Sequence, residues 1–135
     1  MNKILLIITG SIAASRCKEI IALLNINEVK ISCILTKEAK KYVKISDIKK
    51  LLKNRIFTDE DEKKNKMLHI NLSRDNDIIV VCPATANSIA KFANGYGDNL
   101  ASNTLLASNK KILFVPAMNS FMWHNKINQK NVRLL

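Results

Sequence analysis

Four runs of mainly apolar residues, each about the length of a β-strand, punctuate the chain. They are Lys3–Ile8, Val29–Leu35, Asp77–Cys82 and Lys111–Val115. Runs without regular polar alternation are typical of parallel strands that are covered on both faces. We therefore predict a sheet built from these strands, with Pro83 and Pro116 closing the last two.

The segments between these runs carry apolar residues at helical spacing or begin with a residue that caps helices. The predicted helices are Ile12–Leu24, the segment after Thr36 through Val43, Ser46–Lys53, Met67–Arg74, Ala86–Ala93 and Asn99–Ser108. The expected N-caps are Thr36, Ser46, Thr85 and Asp98, and Asn94-Gly95 is expected to end the fifth helix. The polar segment Asn54–Lys66 is predicted to be a loop. This alternation indicates an α/β fold with an open parallel sheet, a Rossmann-like or flavodoxin-like three-layer α/β/α arrangement.

Composition adds limits to this picture. The 135 residues are enough for one hydrophobic core, so we expect a single domain over residues 1–135. The net charge is +11, but there are two Tyr and one Trp. Most of the basic residues are lysines scattered along the chain, whereas base-reading proteins combine Arg and aromatic residues in one patch. The charge alone therefore does not predict a nucleic-acid binder.

Cysteine usage and the N-terminal segment bear on location. Cys17, Cys33 and Cys82 form no CxxC pair, which argues against a zinc site and for free thiols in a reducing compartment, the cytoplasm. No apolar run is long enough to span a membrane. Gly10-Ser11 interrupts the first apolar run early, which favours a strand and turn over a signal peptide.

Polar and small residues follow the predicted strands at the edge where parallel sheets bind ligands. They lie in Thr9-Gly10-Ser11, at Thr36, in Pro83–Ser88 and in Pro116–Asn119. A glycine turn before a helix suits a phosphate group, but without GxGxxG it suits a monophosphate better than a dinucleotide. Ordinary helix capping is the alternative for each turn. His69 fits either a surface position or catalysis, and the Met118 to Trp123 region fits a core, an interface or a site.

Several segments together resemble one family. GSIAAS at 10–15, HINLS at 69–73, PATANSIAKFANGYGDNL at 83–100 and PAMNSFMW at 116–123 are similar to the flavin-containing cysteine decarboxylases. Within that family they most resemble the phosphopantothenoylcysteine decarboxylase domain of the bifunctional coenzyme A biosynthesis flavoprotein. The resemblance runs in order from about residue 3 to about residue 125.

The resemblance implies FMN as the cofactor and assigns roles to particular residues. The implied FMN contacts are Gly10, Ser11, Ile12, Thr36, Thr85, Ala86, Asn87, Ser88 and Ala117. His69 matches the active-site histidine of the family. Asn119 matches the amide that holds the substrate carboxylate, with Met118 beside it. No metal is implied.

The resemblance also implies a reaction and an assembly. In similar enzymes FMN oxidises the thiol of a cysteine moiety to a thioaldehyde, and CO2 then leaves because the carbanion is delocalised. For 4'-phosphopantothenoylcysteine, the ene-thiol that remains is then reduced by the reduced flavin, and the expected product is 4'-phosphopantetheine. The family forms trimers, often assembled into dodecamers, with the site between subunits. Phe121, Met122 and Trp123 are therefore candidates for an interface as well as a core.

The sequence departs from the family at its end. Relatives carry a C-terminal substrate clamp with a cysteine and, in the bifunctional protein, a synthetase domain. The sequence ends at Leu135 before such a motif, and Cys17, Cys33 and Cys82 do not match the clamp cysteine. Three alternatives follow: a separate chain carries the clamp and synthetase, the enzyme releases the oxidised ene-thiol, or the chain is an FMN-binding subunit or degenerate fragment without independent activity.

Overall fold

The central sheet of the protein has five strands, all paired in parallel. A computed structural model describes residues 2–53 and 55–135. The strands are β1 (Lys3–Ile8), β2 (Lys30–Leu35), β3 (Ile56–Phe57), β4 (Ile78–Ala84) and β5 (Lys111–Pro116). Their order is β3-β2-β1-β4-β5, so the chain moves outward from β1 in one direction and then returns to build the other half. The switch point lies between β1 and β4, where such sheets open a crevice at their carboxyl ends.

Helices connect the strands and follow the last one. They are α1 (Cys17–Ile26), α2 (Ile45–Leu52), α3 (Asp59–Lys64), α4 (Leu68–Asp75), α5 (Ala86–Ala93), α6 (Leu100–Leu106), α7 (Ser120–His124) and α8 (Lys126–Leu134). Short 3₁₀ helices cover Ile12–Arg16 and Ala39–Lys41. Across residues 2–53 and 55–135, no helix combines the length and the apolar character needed to cross a membrane.

Two hydrophobic clusters lie on opposite faces of the sheet, because successive side chains of a strand point in opposite directions. Leu6 and Ile8 of β1 pack with residues of α1 and α2, including Ile21 and Ile48. Leu5 and Ile7 belong to the other cluster, with residues of α4, α5 and α6. The predicted three-layer α/β/α class is therefore confirmed.

The predicted helix Ile12–Leu24 is wrong at its start, because residues 12–16 form a 3₁₀ helix and the α-helix begins at Cys17. The Ser11 carbonyl accepts a hydrogen bond from Ala14 N–H at 2.9 Å, which is the tighter 3₁₀ pattern. The Ser15 hydroxyl also donates to the Ile12 carbonyl at 2.8 Å. Such side-chain bonds to a nearby carbonyl compete with the regular helical pattern.

The predicted loop Asn54–Lys66 is also wrong, since it contains β3 and α3; its first residue, Asn54, lies outside the described residues. The signal for α3 is a capping box. The Asp61 carboxylate accepts a hydrogen bond from Thr58 N–H at 2.8 Å. Acidic residues in the first turn also interact favourably with the helix dipole.

Other boundaries differ by smaller amounts. After Thr36 only a 3₁₀ turn forms, and α2 has Lys44 rather than Ser46 as its N-cap. Asn99, and not Asp98, caps α6 through a capping box with Ser102. Pro116 is the last residue of its strand, as predicted, whereas β4 continues past Pro83 to Ala84. Pro83, after a cis peptide bond, lies at a register irregularity of β4, and Pro116 lies in the edge strand β5, two positions where a strand tolerates proline.

Candidate active site

One cavity gathers the turns that follow β1, β2, β4 and β5. Its volume is about 610 Å³, within the usual range for small-molecule sites. The lining includes every residue for which an FMN or substrate-carboxylate contact was predicted: Gly10, Ser11, Ile12, Thr36, Thr85, Ala86, Asn87, Ser88, Ala117, Met118 and Asn119. The chain brings them together because the carboxyl ends of parallel strands share one edge of the sheet.

Gly10 allows the first turn to approach the second. A Cβ atom added at Gly10 would collide with the Cβ atom of Glu38 and lie 3.2 Å from the Glu38 carbonyl carbon. Ser11 is extended, and its hydroxyl oxygen accepts a hydrogen bond from Ala13 N–H at 3.1 Å. Ala13 N–H is therefore engaged by Ser11, and the Ile12 N–H at the first position of the 3₁₀ helix is the backbone donor that is left for an anion in the cavity.

The turn after β4 supplies a second set of donors. Thr85 caps α5, and its hydroxyl oxygen accepts a hydrogen bond from Ser88 N–H at 3.1 Å. The two hydroxyls of Thr85 and Ser88 are 2.8 Å apart. Ala86 and Asn87 begin the helix, where backbone N–H groups point away from the helix body. The N-terminus of α5 thus offers hydroxyl and amide donors to the cavity.

The turn after β5 fixes the amide of Asn119. Its Oδ1 accepts a hydrogen bond from Met122 N–H at 2.9 Å and so caps α7. The assignment of the amide follows from this bond, since the backbone nitrogen can only donate. The oxygen is thereby occupied, and Nδ2 is the end of the side chain that can donate to a ligand. Met118 is held by Asn128, whose Nδ2 lies 3.3 Å from the Met118 sulfur.

Two charged residues line the cavity within the described part of the chain, Glu38 and Lys91. Lys91 forms an ion pair with Asp98, with 2.9 Å between Nζ and Oδ2. A hydrogen bond from Lys91 holds the pKa of the Asp98 carboxyl below its usual range, and Ser102 donates a further hydrogen bond. A phosphate here would therefore be bound chiefly by neutral donors and helix N-termini.

His69 lies outside the lining of this cavity. It stands on α4, and its Nδ1 is 3.1 Å from Oε1 of Glu62 on α3. The side chain of His69 is 26% exposed and that of Glu62 is 19% exposed. The structure thus brings Asn119 and the predicted FMN contacts together in one chain, but it does not bring His69 to them.

The cysteines are all free, and none is among the residues that line the cavity. Cys17 and Cys33 are buried in the core. Burial raises the pKa of Cys33, and a hydrogen bond to Cys82 together with burial raises the pKa of Cys17. These two thiols are structural groups that resist ionisation.

Several lining residues were not predicted from the sequence. They include Glu38, Tyr42, Lys91, Phe92, Asn99 and Ser102. A signal existed for two of them: Lys91 and Phe92 follow Ser88 by three and four positions in the predicted helix and therefore share its face. Tyr42 and Asn99 enter through tertiary packing, for which the sequence pattern gives no sign.

The residues of the cavity fit FMN by the chemistry of their donors. Hydroxyl groups and helix N-termini at the turns suit a phosphate monoester. Apolar side chains, among them Ile7, Val81, Phe92 and Leu105, provide walls for a flat ring system. The cavity therefore has both kinds of surface that such a cofactor requires.

The model of the family described as Flavoprotein matches residues 1–135. The chain belongs to the flavoprotein family. The chain is 31% identical over 138 residues to a protein of Streptococcus mutans named probable phosphopantothenoylcysteine decarboxylase, covering 99% of this chain and 77% of that protein. It is 34% identical to the coenzyme A biosynthesis bifunctional protein CoaBC of Haemophilus influenzae, with 95% of this chain aligned. The chain spans 32% of the length of that bifunctional protein.

Solved structures of other flavoproteins share the fold. The FMN-dependent cysteine decarboxylase SpaF superposes with a TM-score of 0.93 at 30% identity, covering 100% of this chain and 79% of SpaF. The peptidyl-cysteine decarboxylase EpiD superposes with a TM-score of 0.86 at 33% identity, covering 99% of this chain and 80% of EpiD. These matches confirm the predicted resemblance to the flavin-containing cysteine decarboxylases, which are carbon-carbon lyases.

Proposed function

We propose that this flavoprotein is an FMN-dependent decarboxylase acting on the carboxylate of a cysteine moiety. The observation that carries the proposal is the cavity lined by the turns after β1, β2, β4 and β5, which combines donors for a phosphate with the oriented amide of Asn119. The FMN-dependent enzyme SpaF, with the same fold over the whole of this chain, supports FMN as the cofactor.

The proposed FMN contacts follow from the hydrogen-bond donors that line the cavity. Ser11 with the start of the 3₁₀ helix, and Thr85 to Ser88 with the start of α5, would hold the phosphate, with Thr36 adding a hydroxyl. Ala117 has a small side chain and would leave room for the ring. FMN, when bound, supplies the electron acceptor that makes loss of CO2 from the oxidised substrate feasible.

Asn119 would bind the carboxylate that is lost. Its Oδ1 is used by the cap of α7, so Nδ2 is the donor that remains for the substrate. An uncharged amide orients a carboxylate without the strong stabilisation that a cation would give to the ground state. Met118 lies next to it in the lining and would contact the substrate.

His69 would move a proton during oxidation of the thiol, a task suited to imidazole near neutral pH. Since it lies outside the cavity of its own chain, we propose that it serves the cavity of a neighbouring copy in a homotrimer or dodecamer. Exposed apolar residues support an assembly: Phe121 is 89% exposed, and Leu113 on the edge strand is 51% exposed.

The substrate that we propose is 4'-phosphopantothenoylcysteine, with 4'-phosphopantetheine as the product, in coenzyme A biosynthesis. The name of the Streptococcus mutans relative supports it, and the net charge of +11 would attract a phosphorylated substrate. We place the protein in the cytoplasm because its three cysteines are free. The partners that we propose are further copies of this chain.

A second substrate class has its own support. The peptidyl-cysteine decarboxylase EpiD is 33% identical to this chain, and its variant structure was solved with the substrate peptide DSYTC. A peptide ending in cysteine carries the same thiol and carboxylate as phosphopantothenoylcysteine. It lacks the phosphopantothenoyl group, so the two substrates can be distinguished directly.

The test compares both substrates with FMN-loaded protein. We expect CO2 release from phosphopantothenoylcysteine, and much less from the peptide DSYTC. Release from the peptide alone would favour the second class. Protein that binds FMN but releases CO2 from neither substrate would instead be the FMN-binding subunit without independent activity. We expect His69→Asn to abolish turnover with FMN still bound, whereas loss of both would mean that His69 is structural.

A further inference from the structure

The contact between Glu62 and His69 joins two helices, and the proposed function assigns a role in proton transfer to a residue of only one of them, α4. His69 lies on α4, and Glu62 lies on α3, a short acidic helix with no role assigned so far. Oε1 of Glu62 is 3.1 Å from Nδ1 of His69, within the range of a hydrogen bond.

Nδ1 of His69 is shielded from solvent, and no group in the described part of the chain gives it a well-aligned hydrogen bond. The side chain of His69 as a whole is 26% exposed, so the solvent-accessible part of the ring lies away from Nδ1. A buried ring nitrogen without a partner is costly. Oε1 of Glu62 is an acceptor within reach of Nδ1, and the soft terminal torsion of a glutamate allows the carboxylate to align with it.

The Glu62 carboxylate is held in place by α6. The same Oε1 accepts a hydrogen bond from Nδ2 of Asn103 at 3.4 Å. The start of α3 is also tied to α6, since the Asp59 carboxylate accepts a hydrogen bond from Leu100 N–H at 2.9 Å. The acceptor for His69 is thus fixed on a helix that two hydrogen bonds attach to the body of the protein.

We propose that Glu62 is a positioning residue that keeps neutral His69 in the tautomer with its proton on Nδ1. In that tautomer Nε2 carries the lone pair and is the atom that accepts a proton from the substrate. Glu62 then fixes both the tautomer and the direction of the ring, as carboxylates do for many functional histidines. This inference rests on the proposed role of His69 in proton transfer.

The first test reads the tautomer and does not depend on activity. The full-length protein, loaded with FMN and labelled with 15N at histidine, is examined by long-range 1H–15N NMR at a pH where the ring is neutral. His124→Gln assigns the second histidine. We expect a proton on Nδ1 of His69 in the wild type, and a shift toward the Nε2–H tautomer in Glu62→Ala.

Two variants control this measurement. Glu60→Gln removes a carboxylate from the same helix, where Glu60 pairs with Lys63 at 3.0 Å in solvent. Asn103→Ala removes one of the two hydrogen bonds between α3 and α6, keeps the bond between Asp59 and Leu100, and leaves the Glu62 carboxylate as the acceptor near His69. Both are expected to keep the wild-type tautomer. An Nε2–H tautomer in the wild type, or a tautomer that Glu62→Ala leaves unchanged, would overturn the inference.

The second test is kinetic and uses phosphopantothenoylcysteine as the probe. We expect Glu62→Ala to lower kcat by about 10- to 100-fold with little change in KM or FMN affinity. Glu62→Gln retains an oxygen acceptor and is expected to recover most of the loss. A kcat of Glu62→Ala equal to that of Glu60→Gln would contradict the inference. Wild-type protein that is inactive but has the expected tautomer would contradict the proposed function and leave the positioning contact established.

Discussion

Asn119 uses the two ends of one amide group for different purposes. Its oxygen caps α7, and this bond leaves the nitrogen as the donor at the cavity. The cap and the proposed contact with the substrate carboxylate can be separated by substitution, because an aspartate still accepts the hydrogen bond from Met122 but cannot donate one.

We therefore expect Asn119→Asp to fold with nearly wild-type stability and to lose about 100-fold or more of its kcat/KM, since a carboxylate repels the substrate carboxylate. Thermal unfolding and CO2 release measure the two effects. Asn125→Asp is the matched control, because Asn125 caps α8 in the same way and lies outside the lining. Equal losses in both variants would remove Asn119 from the substrate site.

Gly10 belongs to the cavity, and Gly95 does not. A methyl group at Gly10 would collide with Glu38. A methyl group at Gly95 would have no neighbour within 4 Å, but the alanine that carries it would have to adopt a φ of 73°. We expect Gly10→Ala to weaken FMN binding by about 10-fold or more, because Glu38 lines the same cavity and must move.

Gly95→Ala serves as the control, with a cost of about 1 kcal/mol in unfolding free energy from its left-handed backbone and unchanged FMN affinity. Quenching of FMN fluorescence and urea unfolding report the two quantities. FMN binding that is weakened equally in both variants would mean that the loss follows stability and not the geometry of the turn.

At the scale of elements, the sequence pattern predicts continuously apolar strands, the exposed edge strand β5 included, better than short or polar elements. The buried strands β1, β2 and β4 could be recognised because helices cover both of their faces, and their sequences are therefore continuously apolar. β3 has two residues, too few to show any period. α3 has no buried residue and hence no apolar stripe, so its composition resembled that of a loop.

The residues of the candidate site also divide into those that the sequence predicts and those that it does not. Residues directly after the strands were predictable, because topology alone places them at one edge. To predict Lys91 and Phe92, the face of α5 that begins at Ser88 must be extended by one helical turn. To predict Tyr42, the packing of the 3₁₀ helix that precedes it must be known. The contact between His69 and Glu62 depends on how α3 packs beside α4, which no local pattern records.

The capping box is the main local interaction that stabilises the start of α3. We expect Asp61→Ala to lower the unfolding free energy by about 1 kcal/mol, because Thr58 N–H loses its acceptor. Glu60→Ala removes an exposed ion pair on the same helix and is expected to cost less than about 0.5 kcal/mol. Urea unfolding measures both. A larger cost for Glu60→Ala would show that overall charge, and not the cap, stabilises the helix.

At the scale of the whole molecule, the position of His69 makes assembly part of the proposed mechanism. If His69 of one copy serves the cavity of the next, a mixture of His69→Asn and Asn119→Asp chains contains some sites with both native residues. Random mixing of the two inactive variants is expected to restore about a quarter of wild-type activity.

Each variant refolded alone provides the control, together with the molar mass of the mixed assembly from light scattering. Mixed assemblies that remain as inactive as the separate variants would place His69 in the cavity of its own chain. That result would require α4 to move, since His69 does not line that cavity in the structure.

We propose above that the cavity at the carboxyl edge holds FMN and directs loss of CO2 from a cysteine moiety. The most direct measurement of this function follows release of labelled CO2 from phosphopantothenoylcysteine labelled at its carboxylate, with FMN-loaded wild-type protein and the Asn119→Asp variant. We expect multiple turnovers by the wild type, dependent on bound FMN, and almost none by the variant with FMN still bound. Protein that cannot take up FMN, or FMN-loaded protein that releases no labelled CO2, would contradict it.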